Sequence, residues 1–103
     1  MKNLLTPEQA KALARDYIRR LSTLPDGDDL VICDENTIER PFGWVFFYDS
    51  RRVLETGDLR HAIAGNAPII VNRHDGSITV TGTAHPIEHY ISEYEERLAK
   101  HAT

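Results

Sequence analysis

Two amphipathic stretches lie near the two ends of the chain. In the first, apolar residues recur at i, i+3, i+4, i+7, i+8 and i+11, the spacing of one helical face. Thr6 precedes this stripe as an N-cap candidate, Pro7 suits the first helical position, and Gln9 completes a capping box. Pro86 opens the second stretch. The pattern predicts a helix at each end, with stripes formed by Ala10, Leu13, Ala14, Tyr17, Ile18 and Leu21 and by Ile87, Tyr90, Ile91, Tyr94 and Leu98.

Short apolar runs rich in β-branched and aromatic residues lie between these helices and are typical of strands. The first run is expected to continue, bent or bulged, through residues 37–40. Residues 44–48 lack charged side chains until Asp49, which favours a central strand covered on both faces. Asp75 and Gly76 supply a hairpin turn. The predicted strands are residues 30–33, 44–48, 68–72 and 77–81.

Asp58 is an N-cap candidate for a short helix over residues 59–64, which Gly65 would end. The close spacing of the strands favours antiparallel pairing, because tight hairpins join only antiparallel neighbours. The sequence therefore predicts one α+β domain over residues 1–103. Its core would be an antiparallel sheet of about four strands, with the N- and C-terminal helices packed on one face as a two-layer sandwich.

Composition supports a single globular domain. The chain has 103 residues, of which 41% are hydrophobic and 27% are charged. One cysteine excludes an intramolecular disulfide and fits a reducing cytoplasm, and the N-terminus lacks the apolar core of a signal peptide. No apolar run is long enough to span a membrane. We therefore expect a cytoplasmic protein with no membrane partner, and the net charge of −4 argues against binding to nucleic acid.

Few residues offer chemistry. His85 and His89 could share a metal, but Pro86 places His85 at the helix cap and no third ligand accompanies them. Cys33 could act as a nucleophile, yet it lies in an apolar run without a nearby basic residue to activate the thiol. The glycines form no phosphate-binding loop. We expect no catalytic residue, no metal site and no cofactor.

The distribution of charge is more informative than any motif. Residues 26–39 contain no Lys or Arg. An acidic surface of this kind can steer a basic partner and raise its association rate. The alternative is a solvated surface that maintains solubility. The acidic residues of the segment are Asp26, Asp28, Asp29, Asp34, Glu35 and Glu39.

Five motifs follow one another in register. They read FGWVFFYDS at residues 42–50, LETGD at 54–58, AGNAPIIV at 64–71, DGS at 75–77 and GTAHPIEHY at 82–90. Together they resemble the YrhB-like family, also called the immunity protein 35 family. The resemblance implies a small bacterial α+β protein that binds a polymorphic toxin domain in the producing cell and blocks it. A related member has been described as a heat-stable, chaperone-like protein.

The resulting hypothesis is a non-enzymatic immunity protein, as monomer or homodimer, that neutralises a cognate protein toxin. The contact surface is expected at Asp34, Glu35, Glu55 and Asp58. The main alternative is a chaperone-like interaction module that protects partner proteins from aggregation. A third alternative is an enzyme or small-ligand domain, which requires a pocket with convergent polar groups near His61, His85 or Asp58.

Overall fold

The computed structural model describes residues 4–21, 29–58 and 66–101. Helix α1 spans Pro7–Leu21 and begins with the predicted capping box. The Thr6 amide donates to Gln9 Oε1 (2.9 Å), and the Gln9 amide donates to Thr6 Oγ1 (3.2 Å). Helix α3 spans Ile87–His101, so it starts directly after Pro86 as expected. No helix in the described ranges is long and apolar enough to cross a membrane.

The strands of the described ranges are β1 (Leu30–Ile32), β2 (Ile38–Arg40), β3 (Gly43–Phe46), β4 (Tyr48–Ser50), β5 (Ile69–Asn72) and β6 (Ile78–Val80). They form two antiparallel sheets. Four of them make one sheet in the order β2-β3-β5-β6, and β1 pairs with β4 in the other. The predicted antiparallel pairing is therefore confirmed, as is the hairpin at Asp75 and Gly76, which joins β5 to β6.

The central strands β3 and β5 are buried at every position. Successive side chains of a strand point to opposite faces, so Trp44 and Val45 pack into different hydrophobic clusters. Trp44 belongs to a cluster with α1 and with the inward residues of β1, while Val45 belongs to a cluster with α3. The first cluster is Ala10, Ala14, Ile18, Leu30, Ile32, Trp44, Phe46, Ile69 and Val71, and the second is Phe42, Val45, Ile70, Ile91 and Tyr94.

The α+β class is confirmed, but the two terminal helices cover opposite faces of the sheet. The expected two-layer arrangement is therefore replaced by three layers, helix, sheet and helix. The physical reason is the complete burial of β3 and β5, since a strand without a solvent-facing side needs apolar cover on both faces.

A short helix, α2 (Arg51–Thr56), follows β4 directly and was not predicted. The Ser50 hydroxyl caps it by accepting a hydrogen bond from the Val53 amide (3.2 Å), and Gly57 ends it in the left-handed conformation (φ 71°). The helix predicted for residues 59–64, with Gly65 at its end, lies outside the described residues.

Candidate protein-interaction surface

An acidic turn projects between β1 and β2, where the chain has more residues than the segment that lies opposite it. Ile32 lies opposite Tyr48 and Ile38 lies opposite Val45, so residues 33–37 face only two residues of the neighbouring strand. The excess is accommodated by a 3-10 turn, Asp34–Asn36, in which every residue is exposed. The predicted bend between the first and second strands is thus a bulge, and bulges of this kind re-aim side chains at functional sites.

Backbone hydrogen bonds fix the turn at both ends. The Cys33 amide donates to the Phe47 carbonyl oxygen (2.8 Å), which ties the start of the turn to the opposite strand. The Thr37 amide donates to the Asp34 carbonyl oxygen (3.2 Å) at its end. Asp34 and Glu35 are therefore held outward on an ordered backbone.

Asp34 also forms an ion pair with α1. Lys11 Nζ lies 2.7 Å from Asp34 Oδ1 and donates to Oδ2 at 2.8 Å. An exposed pair of this kind stabilises the fold by about 0–1 kcal/mol. Its main effect is to fix the direction of the Asp34 side chain. Glu35, the next residue, is exposed.

A third carboxylate joins the turn through strand pairing. Leu30 and Ile32 point into the α1 cluster, so Val31 points outward, and Val31 pairs with Asp49 of β4. Val31 is 36% exposed and Asp49 is half-buried. We call Val31, Asp34, Glu35 and Asp49 the acidic surface.

Cys33 lies among these carboxylates. Burial, and then the negative charges of Asp49, Glu35 and Asp34, raise the pKa of the Cys33 thiol. The thiol therefore stays protonated at neutral pH, which is the opposite of what a nucleophilic cysteine requires.

We expect the rate of Cys33 alkylation by iodoacetamide to reach its midpoint at a higher pH in the folded protein than in urea. The raised pKa lowers the thiolate fraction at any given pH. Asp49→Asn should lower that midpoint, whereas Glu95→Gln, which removes the same charge from the exposed side of α3, should not. Equal midpoints for the folded and unfolded protein would contradict the placement of Cys33.

Glu55 and Asp58 lie together at the end of α2. Glu55 Oε1 is 3.8 Å from Arg51 Nε one helical turn earlier, and the Asp58 amide donates to Thr56 Oγ1 (3.1 Å). Helix α2 follows Ser50, which lies opposite Leu30.

The structure therefore separates the four predicted contact residues into two pairs. The pair Asp34 and Glu35 follows the end of β1 that faces Tyr48, and the pair Glu55 and Asp58 follows the end of β4 that faces Leu30. The two pairs are thus attached at opposite ends of the β1–β4 ladder. Asp49 lies between these attachment points, and sequence reasoning missed it because only the strand register reveals it.

The two histidines of the last motif do meet. The ring centroids of His85 and His89 are 4.3 Å apart with planes inclined by 37°, and His89 Nε2 is 3.4 Å from Glu93 Oε1. Within the described ranges, no three His, Cys, Asp or Glu side chains converge as a metal site would require.

A cleft of about 340 Å³ lies beside His85. Among the described residues, its lining offers the imidazole of His85, the amide of Asn66 and the hydroxyls of Tyr48 and Thr83, but no carboxylate. The Asn66 amide is occupied, because it donates to the Tyr48 carbonyl oxygen (2.9 Å). The cleft is lined by Phe47, Tyr48, Asn66, Pro68, Gly82, Thr83, His85 and Ile87.

Comparison with known proteins identifies relatives of the chain. The family model described as immunity protein 35 matches residues 8–96. The protein named "Uncharacterized protein YrhB" from Escherichia coli (strain K12) is 46% identical over 57 residues, which are 55% of this chain and 61% of that protein. The chain thus spans about three fifths of that curated relative. No solved structure matches.

Proposed function

The chain belongs to the immunity protein 35 family, and we propose that it protects the cell that makes it by binding a cognate protein toxin and covering the toxin's active cleft. Protection in this scheme requires no chemistry from the immunity protein. It requires a rigid scaffold and a surface complementary to the toxin.

The observation that carries the proposal is the acidic surface. The bulge holds Asp34 and Glu35 outward beside the partly exposed apolar side chain of Val31. On such a surface, burial of the apolar side chain adds affinity, and the carboxylates add association rate and specificity. Asp49 lies opposite Val31 on β4, where its Oδ1 accepts a hydrogen bond from the Ser50 amide (2.8 Å).

The end of α2 supplies a second group of the same composition. Leu54 is 49% exposed and lies next to Glu55, one turn before Asp58. Each half of the proposed contact surface thus combines one exposed aliphatic side chain with two carboxylates. A toxin that touches both halves would span the β1–β4 ladder.

Charge defines the class of partner. A toxin domain that cleaves or modifies nucleic acid has a basic active cleft, because its substrate is a polyanion. Carboxylates can occupy such a cleft in place of phosphates, which blocks it without any turnover. The protonated Cys33 thiol among these carboxylates is consistent with binding rather than catalysis.

The proposal is tested by co-expression with the cognate toxin domain, which is sought first in the gene immediately upstream. We expect cells that produce both proteins to survive and the two proteins to copurify. Death of these cells despite a folded, abundant immunity protein would contradict the proposal.

The same preparation separates this proposal from the chaperone-like alternative. A chaperone binds many unfolded clients through apolar surface, so it would suppress heat aggregation of unrelated proteins. Among the large exposed apolar side chains of the described ranges, Leu4 and Leu13 line one cleft beside α1, while Val31, Leu54 and Val80 lie on three other elements. We therefore expect no suppression when unrelated proteins are heated with equimolar immunity protein.

A further inference from the structure

Strand β6, which has three residues, forms one edge of the four-stranded sheet. Proteins usually guard edge strands with charged residues, proline or bulges, because an exposed edge pairs with other chains. The opposite edge, β2, follows this rule, since it carries Glu39, paired with Arg73 (3.0 Å), and Arg40, paired with Glu88 (3.8 Å). Strand β6 consists only of uncharged β-branched residues. Within the described ranges, no strand pairs with its outer side.

The hydrogen-bonding pattern shows which groups of β6 are available. The Asn72 amide donates to the Ser77 carbonyl oxygen and the Thr81 amide donates to the Pro68 carbonyl oxygen, both at 3.0 Å. Antiparallel ladders alternate, so the N–H and C=O groups of Thr79 also point towards β5. The backbone groups of Ile78 and Val80 therefore point away from the sheet.

The side chains of β6 fall on two faces. Ile78 and Val80 lie opposite Val71 and Ile69, on the face covered by α1. Thr79 lies opposite Ile70, on the face covered by α3. Val80 is 49% exposed, so an apolar side chain stands at this edge without full cover.

A cleft of about 470 Å³ separates β6 from α3. Thr79 and Thr81 form one wall and α3 forms the other. Along the helix, the acidic residues of this wall come first and the basic residues follow. The order is Glu93, Glu96, Arg97 and Lys100.

We propose that two copies of this chain pair through β6, antiparallel, about a twofold axis at Thr79. Ile78 of each copy then lies opposite Val80 of the other, and both pairs exchange backbone hydrogen bonds through the outward-pointing groups. The two four-stranded sheets become one continuous sheet. The exposed Val80 side chain gains an apolar cross-strand neighbour on the α1 face, and the two Thr79 side chains meet on the α3 face.

The charges on α3 favour a second copy over an unrelated strand. The twofold axis places the two α3 helices antiparallel on the same side of the joined sheet. The acidic end of one helix then faces the basic end of the other, which brings Glu96 towards Arg97 of the second copy. A surface that is complementary to itself in this way fits the isologous interface of a twofold dimer.

Cysteine cross-linking tests the proposed axis. In a Cys33→Ser background, Thr79→Cys places two thiols on residues whose Cα atoms are about 4.5 Å apart, because Thr79 forms a non-hydrogen-bonded pair with itself. This separation lies within the disulfide range of about 4.4–6.8 Å. Ser92→Cys, exposed on α3, is the control. We expect Thr79→Cys to cross-link at least about tenfold faster, since a dimer holds the thiols at high effective concentration.

Val80→Lys provides the second measurement. A charge at the exposed edge should abolish the rapid cross-linking of Thr79→Cys and shift sedimentation towards monomer, with unchanged thermal unfolding of the monomer. Equal cross-linking rates for Thr79→Cys and Ser92→Cys would overturn the proposal, as would rapid cross-linking or a dimer in sedimentation that Val80→Lys leaves intact. Both readouts are independent of toxin binding.

Discussion

Replacing Gly43 with alanine is expected to unfold the protein. Gly43 begins the central strand β3 and has a φ of 147°, which side chains rarely tolerate. A Cβ at this position would overlap the Val71 carbonyl oxygen and lie 2.9 Å from the Arg73 amide nitrogen. Both obstacles are backbone atoms of β5 and the hairpin turn. They can move only if β3 separates from β5.

The expected loss in the free energy of unfolding is comparable to its whole value, which for proteins of this size is about 5–15 kcal/mol. Gly57→Ala is the matched control. Gly57 also has a positive φ, of 71°, but a Cβ there would meet no atom within 4 Å. The left-handed backbone conformation alone should therefore lower the free energy of unfolding of Gly57→Ala by about 1 kcal/mol.

Far-UV circular dichroism and the fluorescence of Trp44 report the outcome. Trp44 is the only tryptophan of the chain and is 3% exposed, so its emission shifts to the red on unfolding. Similar unfolding midpoints for the two alanine variants would mean that β3 and β5 do not approach at Gly43 as described.

The second large effect concerns toxin binding. We expect the fourfold variant with alanine at Asp34, Glu35, Glu55 and Asp58 to lose protection while it remains folded, because all four side chains lie at least partly at the surface. The change raises the net charge from −4 to zero by removing four acidic residues. Each pair should contribute on the order of 100-fold to affinity if two charge contacts are lost.

Double variants separate the two halves of the surface and control for net charge. Asp34→Ala with Glu35→Ala and Glu55→Ala with Asp58→Ala should each weaken binding in titration calorimetry. The charge-matched double variant Asp16→Ala with Glu95→Ala, at exposed positions of α1 and α3, should bind as the wild type does. If all three double variants bind equally, the contact surface lies elsewhere.

The ion pair between Lys11 and Asp34 needs its own control. Asp34→Ala removes both a carboxylate from the surface and an ion pair from the fold. Lys11→Gln removes only the ion pair. We expect Lys11→Gln to retain binding, which assigns the effect of Asp34→Ala to the carboxylate.

Periodicity predicted the elements of the fold well. The spacing of apolar residues located α1 and α3, and the Asp75–Gly76 signal located the hairpin, because each of these features depends on residues close together in sequence. Helix α2 escaped prediction because six residues are too few to show a helical period. Its only sequence signals were Ser50 before it and Gly57 after it.

The layering could not be read from either helix alone, since an amphipathic helix does not say which face of a sheet it covers. The informative signal was in β3, where Trp44, Val45 and Phe46 leave no polar face. A strand buried on both sides requires cover on both sides.

The acidic surface was predictable only in part. The base-free segment pointed to Asp34 and Glu35, whose exposure follows from the bulge. Asp49 joins them through the register of β1 with β4, which depends on long-range pairing. The separation of Glu55 and Asp58 to the other end of the ladder depends on the same register.

The most direct test is a titration of the purified toxin domain with this protein while the toxin's activity is measured. Inhibition by occlusion predicts that activity falls linearly to zero at a fixed molar ratio and does not fall further with time. An enzyme would instead inactivate the toxin progressively, even at amounts far below one molecule per toxin. A loss of toxin activity of that kind would contradict occlusion. Undiminished toxin activity in the presence of excess folded protein would contradict it equally.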